Sequence, residues 1–173
     1  NSEFIASKCL SIPIDPYFLS WKANQYGVDA KFIKLAGEIN LKMIDYVMEK
    51  VLKCLELFNK SAKNSRILIL GLSYKKNIDD LRESPSLKLI SRLMKKNIFV
   101  DYSDPYFSRI PKIRKYNFNL ESVEINSKTI KSYDVIVLMT DHKIFNYSLI
   151  KKNAKAIIDT RGKYKLDKNI FRA

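Results

Sequence analysis

A chain of 173 residues with 46% apolar content is long enough to bury about 70% of its unfolded surface, in one domain or two small ones. No apolar run approaches the roughly 20 residues of a membrane span, and the first residues do not form a charged-then-apolar leader, so a soluble cytoplasmic protein is expected. The formal charge of +14, from 32 Lys plus Arg against 18 Asp plus Glu, is spread along the chain with no recognition helix, ribonucleoprotein motif or zinc-finger spacing. That argues against specific nucleic-acid binding and leaves nonspecific attraction of polyanions open.

In chain order, residues 1–15 read as irregular. A helix is expected from Pro16 to Tyr26, with Asp15 as its N-cap and Gly27 as its stop. Trp21 and Tyr17, at helical spacing, read as packing residues. From Asp29 to Phe58, Phe32, Leu35, Ala36, Ile39, Met43, Val47, Val51, Leu55 and Phe58 recur at three- and four-residue steps, the pattern of one long amphipathic helix. Such a helix is well above the usual length of about 11 to 12 residues and suits a span between domains or a partner chain. Ser61 to Ser65 is short and polar, and a boundary is expected there.

Beyond it the pattern alternates. Strands are expected at Ile67–Leu72, Ile98–Tyr102, Asp134–Met139 and Ala156–Asp159. Helices are expected at Ser86–Lys95, around Leu120–Val123 and at His142–Lys152. Alternating strands and helices call for an α/β fold with a parallel sheet, whose ligand edge lies past the strand ends. Four segments occupy that edge: Gly71 to Lys75, Ser103-Asp104-Pro105, Thr140-Asp141-His142 and Asp159 to Gly162.

The stretch Arg66 to Leu89 is the most informative of these. An unbroken apolar run, Ile67 to Leu70, ends on Gly71 and delivers Lys75, Lys76 and Arg82 to a helix that Ser84-Pro85 is suited to start. An anionic ligand held by these cations beside helical amides is one reading, and a solvated basic loop is the other. A dinucleotide fingerprint is missing, because Gly71 stands without the two further glycines that Gly-x-Gly-x-x-Gly demands. His142, the single histidine, reads as a solvated residue at a helix start. Cys9 and Cys54 show neither metal-ligand nor disulfide-scaffold spacing, and no metal site is expected.

Five segments carry a family resemblance: SIPIDPYFLSWKA (11–23), LAGEINLKMIDYV (35–47), ILGLSYKKNIDDLRESPSLKLI (69–90), VDYSDPY (100–106) and IIDTRG (157–162). In this order and at these distances they closely resemble the C-terminal half of nucleotide-sugar 6-dehydrogenases, nearest the UDP-N-acetylglucosamine or UDP-N-acetylmannosamine 6-dehydrogenases. The resemblance implies an active-site-loop remnant at 1–15, a central helical dimerisation segment at 16–60, and a Rossmann-like UDP-sugar-binding domain at 66–173. It implies NAD as cofactor, a UDP-sugar as substrate, a homodimer through the long helix, and oxidation of the sugar 6-hydroxyl to a carboxylate for surface-polysaccharide precursors.

Site roles are likewise implied by the resemblance. Ser11 falls where the family has its nucleophilic cysteine, and Asp15 matches an aspartate that assists water and proton handling beside it. Tyr74, Lys75 and Arg161 match residues that meet the UDP-sugar, and Arg82 matches one that faces the NAD phosphates. From the residues alone, Asp15 equally suits an N-cap, Arg82 suits a pair with Asp79, Asp80 or Glu83, and Arg161 suits a surface charge. A serine hydroxyl needs a dedicated base where a cysteine does not. The 173 residues also contain no NAD domain, and the chain opens on Asn. It is therefore expected to be inactive alone, with an NAD-binding half on another polypeptide or lost. A noncatalytic UDP-sugar-binding or dimerisation subunit is the alternative, and a nonspecific polyanion-binding protein is a third reading.

Overall fold

The computed structural model describes residues 15–113 and 116–173. Ser11 lies outside these residues, as does the side chain of Asp15. Two compact units divide the chain, residues 1–45 and 46–173.

In the first unit, helix α1 (Asp15–Gln25) ends as expected at Gly27. The Gly27 amide donates to Asn24 O at 3.1 Å and the Val28 amide to Ala23 O at 3.0 Å, a Schellman closure that needs the positive φ of +74° at Gly27. The Tyr17 ring lies over Gly37, where a Cβ would come within 2.7 Å of its Cζ. Tyr17 and Trp21 are both exposed nonetheless, so neither of the two expected packing residues is buried.

Helix α2 (Lys31–Leu57) is the long amphipathic helix read from the sequence. Its apolar stripe has two fates. Phe32 (82% exposed), Leu35, Ile39 and Met43 are open, whereas Val47, Met48, Val51, Cys54 and Leu55 are buried in the second unit. The division between units therefore falls within α2, and Ser61–Ser65, the expected boundary, is a turn inside the second unit. The last turns of α2 bury enough apolar surface to belong to the core that follows.

That core is built on β1 (Arg66–Leu70), β2 (Phe99–Ser103), β3 (Val135–Leu138), β4 (Ile157–Asp159) and β5 (Ile170–Arg172). The five strands form one parallel sheet in the order β2-β1-β3-β4-β5. Ile67 to Leu70 and Val135 to Leu138 are all buried, as two-faced central strands require. Leu68, Leu70, Ile136, Leu138, Ile157 and Ile170 point to one face, where Ile130, Tyr133, Phe145 and Ile150 cover them.

The connecting helices are α3 (Pro85–Lys95), α4 (Ser127–Lys131) and α5 (Tyr147–Asn153). Ser84 caps α3, with Pro85 at its first turn. Asn126 caps α4 and Asn146 caps α5 through their side-chain oxygens. Two expectations change here. Leu120–Val123 is not helical: the Val123 amide donates to Tyr102 O at 2.8 Å and extends beside β2. The short helix lies later, at α4. The helix expected from His142 begins only at Tyr147, because Asn146 supplies the cap. Among the described residues no helix is long and apolar enough to cross a membrane.

Candidate functional site

The chain runs from β1 out to β2 on one side and then returns to β3 on the other. The order of strands thus reverses between β1 and β3, the place where open parallel sheets accept ligands. Gly71 opens the loop after β1 with φ +86°. A Cβ there would lie 2.5 Å from Thr140 Cβ and 2.6 Å from Thr140 O, so the loops after β1 and β3 are in close backbone contact. Thr140 Oγ1 also donates to Ser73 O at 2.7 Å.

The Ser84-Pro85-Ser86 start of α3 secures the same loop from the other side. Ser84 Oγ donates to Leu72 O at 2.5 Å and accepts the Ser86 amide at 3.2 Å, and Ser86 Oγ donates to Gly71 O at 2.9 Å. Ser84→Ala removes a cap and leaves a buried carbonyl unpaired. It is expected to cost about 1–2 kcal/mol, read as a shift in the midpoint of urea unfolding.

A buried polar network joins three of the strand ends. Asp104 Oδ2 accepts the Leu72 amide at 2.6 Å, the Ser73 amide at 3.2 Å and His142 Nε2 at 3.1 Å, while Oδ1 accepts the Tyr106 amide at 2.8 Å. Burial raises the Asp104 pKa, but the hydrogen bonds from His142, Leu72 and Tyr106 outweigh it and hold the carboxyl below its ordinary value. His142 Nδ1 accepts the Asn77 amide at 3.0 Å, and Asn77 Oδ1 accepts the Lys143 amide at 2.9 Å.

The reading of His142 as solvated is therefore corrected. Its side chain is 0% exposed, because Asp104 offers it a buried partner from a loop distant in sequence. Asn77, Asp104 and Thr140 are site-building residues that carried no role in the sequence reading. The signal available was that Asp104 and Thr140 each follow a strand.

The loops place several of the candidate side chains together. Arg161 Nε donates to Met139 O at 2.5 Å, and its amide donates to Asp159 Oδ1 at 2.9 Å. Among the described residues its terminal nitrogens have no partner. Tyr74 is half-buried, and its pKa is raised by burial against the opposing pull of the Arg161 charge. The Lys75 ammonium lies 5.9 Å from the centre of the Tyr74 ring, and the Tyr74 amide donates to Asp80 O at 2.8 Å. Tyr74, Lys75 and Arg161 thus gather at the switch edge. Lys76 is exposed beside them.

Arg82 is differently placed. Its side chain is 89% exposed and forks onto Asp80, with Nε to Oδ1 at 3.0 Å and Nη2 to Oδ2 at 2.9 Å. The pair with Asp80, one of the partners open to it from the sequence, is formed.

A cavity of about 500 Å³ lies elsewhere, between the start of α3 and Phe107, Pro111, Ile113 and Tyr116, with Leu81 and Leu87 also in its walls. It contains neither Lys75 nor Arg161, and the Arg82–Asp80 and Lys88–Glu83 pairs already join charges around it. The switch edge is the better candidate, because its cations remain available to an anion.

A dinucleotide pyrophosphate does not fit the loop after β1. Ser73 and Lys76 stand where the fingerprint has its second and third glycines. The Leu72 and Ser73 amides, which in that geometry face the phosphates, already donate to Asp104.

Comparisons with known proteins agree with the parallel α/β fold. Residues 68–166 match the UDP-glucose/GDP-mannose dehydrogenase family, UDP binding domain. The UDP-N-acetyl-D-mannosamine dehydrogenase of Methanococcus vannielii is 36% identical over 91% of this chain and 35% of its own length. The UDP-N-acetyl-D-glucosamine 6-dehydrogenase of Pseudomonas aeruginosa is 28% identical over 78% of this chain and 31% of its own length. Among solved structures, the UDP-D-ManNAc dehydrogenase of Pyrococcus horikoshii superimposes with a TM-score of 0.72 at 27% identity, over 94% of this chain and 37% of that one. The chain spans about a third of the length of the curated relatives it matches.

Proposed function

Because this chain belongs to the UDP-glucose/GDP-mannose dehydrogenase family and carries its UDP-binding domain, we propose that it is the UDP-sugar-binding part of a UDP-sugar 6-dehydrogenase. The whole enzyme would oxidise the sugar 6-hydroxyl to a carboxylate, yielding a uronic acid unit for surface polysaccharide. The observation that carries the reading is the convergence of Tyr74, Lys75 and Arg161 beside the β1/β3 switch. Arg161, held through Nε, offers its terminal nitrogens to diphosphate oxygens as a pair, and Lys75 adds a compact charge. Tyr74 presents a half-buried ring at the same place.

NAD would supply the hydride acceptor in two oxidation steps. Since a pyrophosphate does not fit the loop after β1, the acceptor is assigned to a part of the enzyme outside these 173 residues. Arg82 is retained as a candidate for facing that cofactor, once released from Asp80. By the resemblance, Ser11 falls at the family's nucleophile position and Asp15 at that of the aspartate that assists water and proton handling. With serine there, these 173 residues by themselves are expected to bind without turnover. The open stripe Phe32, Leu35, Ile39 and Met43 on α2 supports pairing with a second copy.

Isothermal titration with UDP and with UDP-N-acetylglucosamine at physiological salt tests the reading. Saturable binding is expected, weakened about tenfold or more in Lys75→Ala and in Arg161→Ala, each of which removes a charge-assisted contact. Unchanged affinity in both variants would refute the site. Binding that collapses with added salt and is matched by any polyanion would favour the charge-driven reading.

A further inference from the structure

We propose that Asp104, His142 and Asn77 form a latch that positions the UDP-sugar-binding loop, acting on Tyr74 and Lys75 through the backbone that carries them. The proposal rests on the reading of Tyr74, Lys75 and Arg161 as the ligand site. The three residues come from the loops after β2, β3 and β1, and each contact within the latch ends on loop backbone or on another member.

The direction of each hydrogen bond is determined by chemistry. The Asn77 amide can only donate, so His142 Nδ1 carries a lone pair and the ring proton sits on Nε2, aimed at Asp104 Oδ2. A proton on Nδ1 would face the Asn77 N–H, so the geometry selects the Nε2–H tautomer. Asp104 meanwhile supplies its own anionic oxygen to the Leu72 and Ser73 amides. The loop is thereby anchored on both sides of Tyr74 and Lys75: by Asp104 and Thr140 at Leu72 and Ser73, and by His142 and the Lys143 amide at Asn77. Asn77 accommodates the far anchor at φ +60°, a left-handed conformation that asparagine tolerates better than most residues. The loop after β3 that carries His142 also contributes Met139 O, which holds Arg161. One network therefore sets the spacing between the two cationic arms.

Such a latch has readouts that a purely structural histidine lacks. His142 is the single histidine of the chain, so the ¹⁵N spectrum of its ring reports the tautomer without assignment ambiguity. The expected result is a protonated Nε2 and a bare Nδ1; an Nδ1–H tautomer would overturn the proposal. His142→Gln keeps a donor near the Nε2 position but has no acceptor at Nδ1. Amide exchange of Tyr74 and Asn77 in the ligand-free variant is expected to accelerate about tenfold, while β1 and β3 amides keep their protection. UDP affinity should fall by a similar factor. His142→Asn, which places an amide oxygen near Nδ1, is expected to restore the protection of Asn77. Unchanged exchange at Tyr74 and Asn77 in folded His142→Gln would overturn the latch whatever UDP does. A wild-type chain that shows the tautomer and exchange pattern but takes up no UDP would overturn the binding reading instead.

Discussion

Gly71→Ala is expected to lower the unfolding free energy by about 3–5 kcal/mol, or to leave the domain unfolded, as measured by urea denaturation. Two costs combine at this position. The left-handed backbone, at φ +86°, is strained for any residue with a Cβ, by about 1–2 kcal/mol. The added carbon would also meet Thr140 Cβ at 2.5 Å and Thr140 O at 2.6 Å. Those atoms belong to the loop after β3, tied to the sheet by the Met139 and Thr140 amides on Leu70 O. Relief would require separating the two loops. Gly27→Ala is the internal control: its φ is +74° and nothing lies within 4 Å of the added carbon, so it should show the backbone strain alone. Equal losses at the two positions would contradict the close approach at the switch point.

Asp104→Ala is expected to cost about 3–5 kcal/mol, because it strands three buried donors and one partly buried one at once. These are the amides of Leu72, Ser73 and Tyr106 and the Nε2–H of His142. The same carboxylate gives the protein an acid-labile component. Its pKa in the folded state is held below the ordinary value, so its stabilisation is complete above the unfolded value of about 3.9. It is lost as pH falls through the lower folded value. The stability difference between wild type and Asp104→Asn, measured by denaturant melts across pH, should therefore be widest near neutrality and shrink below about pH 4. A gap that stays constant into acid would mean that the Asp104 carboxylate is not the group being stabilised.

The features legible in the sequence were those whose cause is local. Ile67 to Leu70 and the strand around Val135 to Leu138 are apolar runs that only a two-faced parallel sheet accommodates, and they form its centre. Gly27 and Ser84-Pro85 carry their capping chemistry within a few residues, and each acts where expected. The end expected for α2, Phe58, lies one residue past Leu57, although Asn59 takes the left-handed position there at φ +53°, as Asn97 does after α3.

What the sequence did not disclose depends on distant partners or on very short elements. His142 looks like any polar residue at a loop until Asp104 is folded against it. The helix expected to begin at His142 starts later because Asn146 competes as a cap, and apolar periodicity does not arbitrate between neighbouring caps. Strand β5, only Ile170–Arg172, is too short to show a pattern of its own. Helix α4 is likewise brief, and the apolar residues before it pack beside β2 in extended form. The convergence of Tyr74 and Arg161 is a product of strand order, which links loops far apart in the chain.

The most direct test of the account is an amide-resolved NMR titration of the chain with UDP. The account predicts saturable shifts confined to the loops after β1, β3 and β4, centred on Tyr74, Lys75, Thr140 and Arg161. Shifts centred instead on Leu81, Leu87, Phe107 and Tyr116, or no saturable shifts, would contradict it.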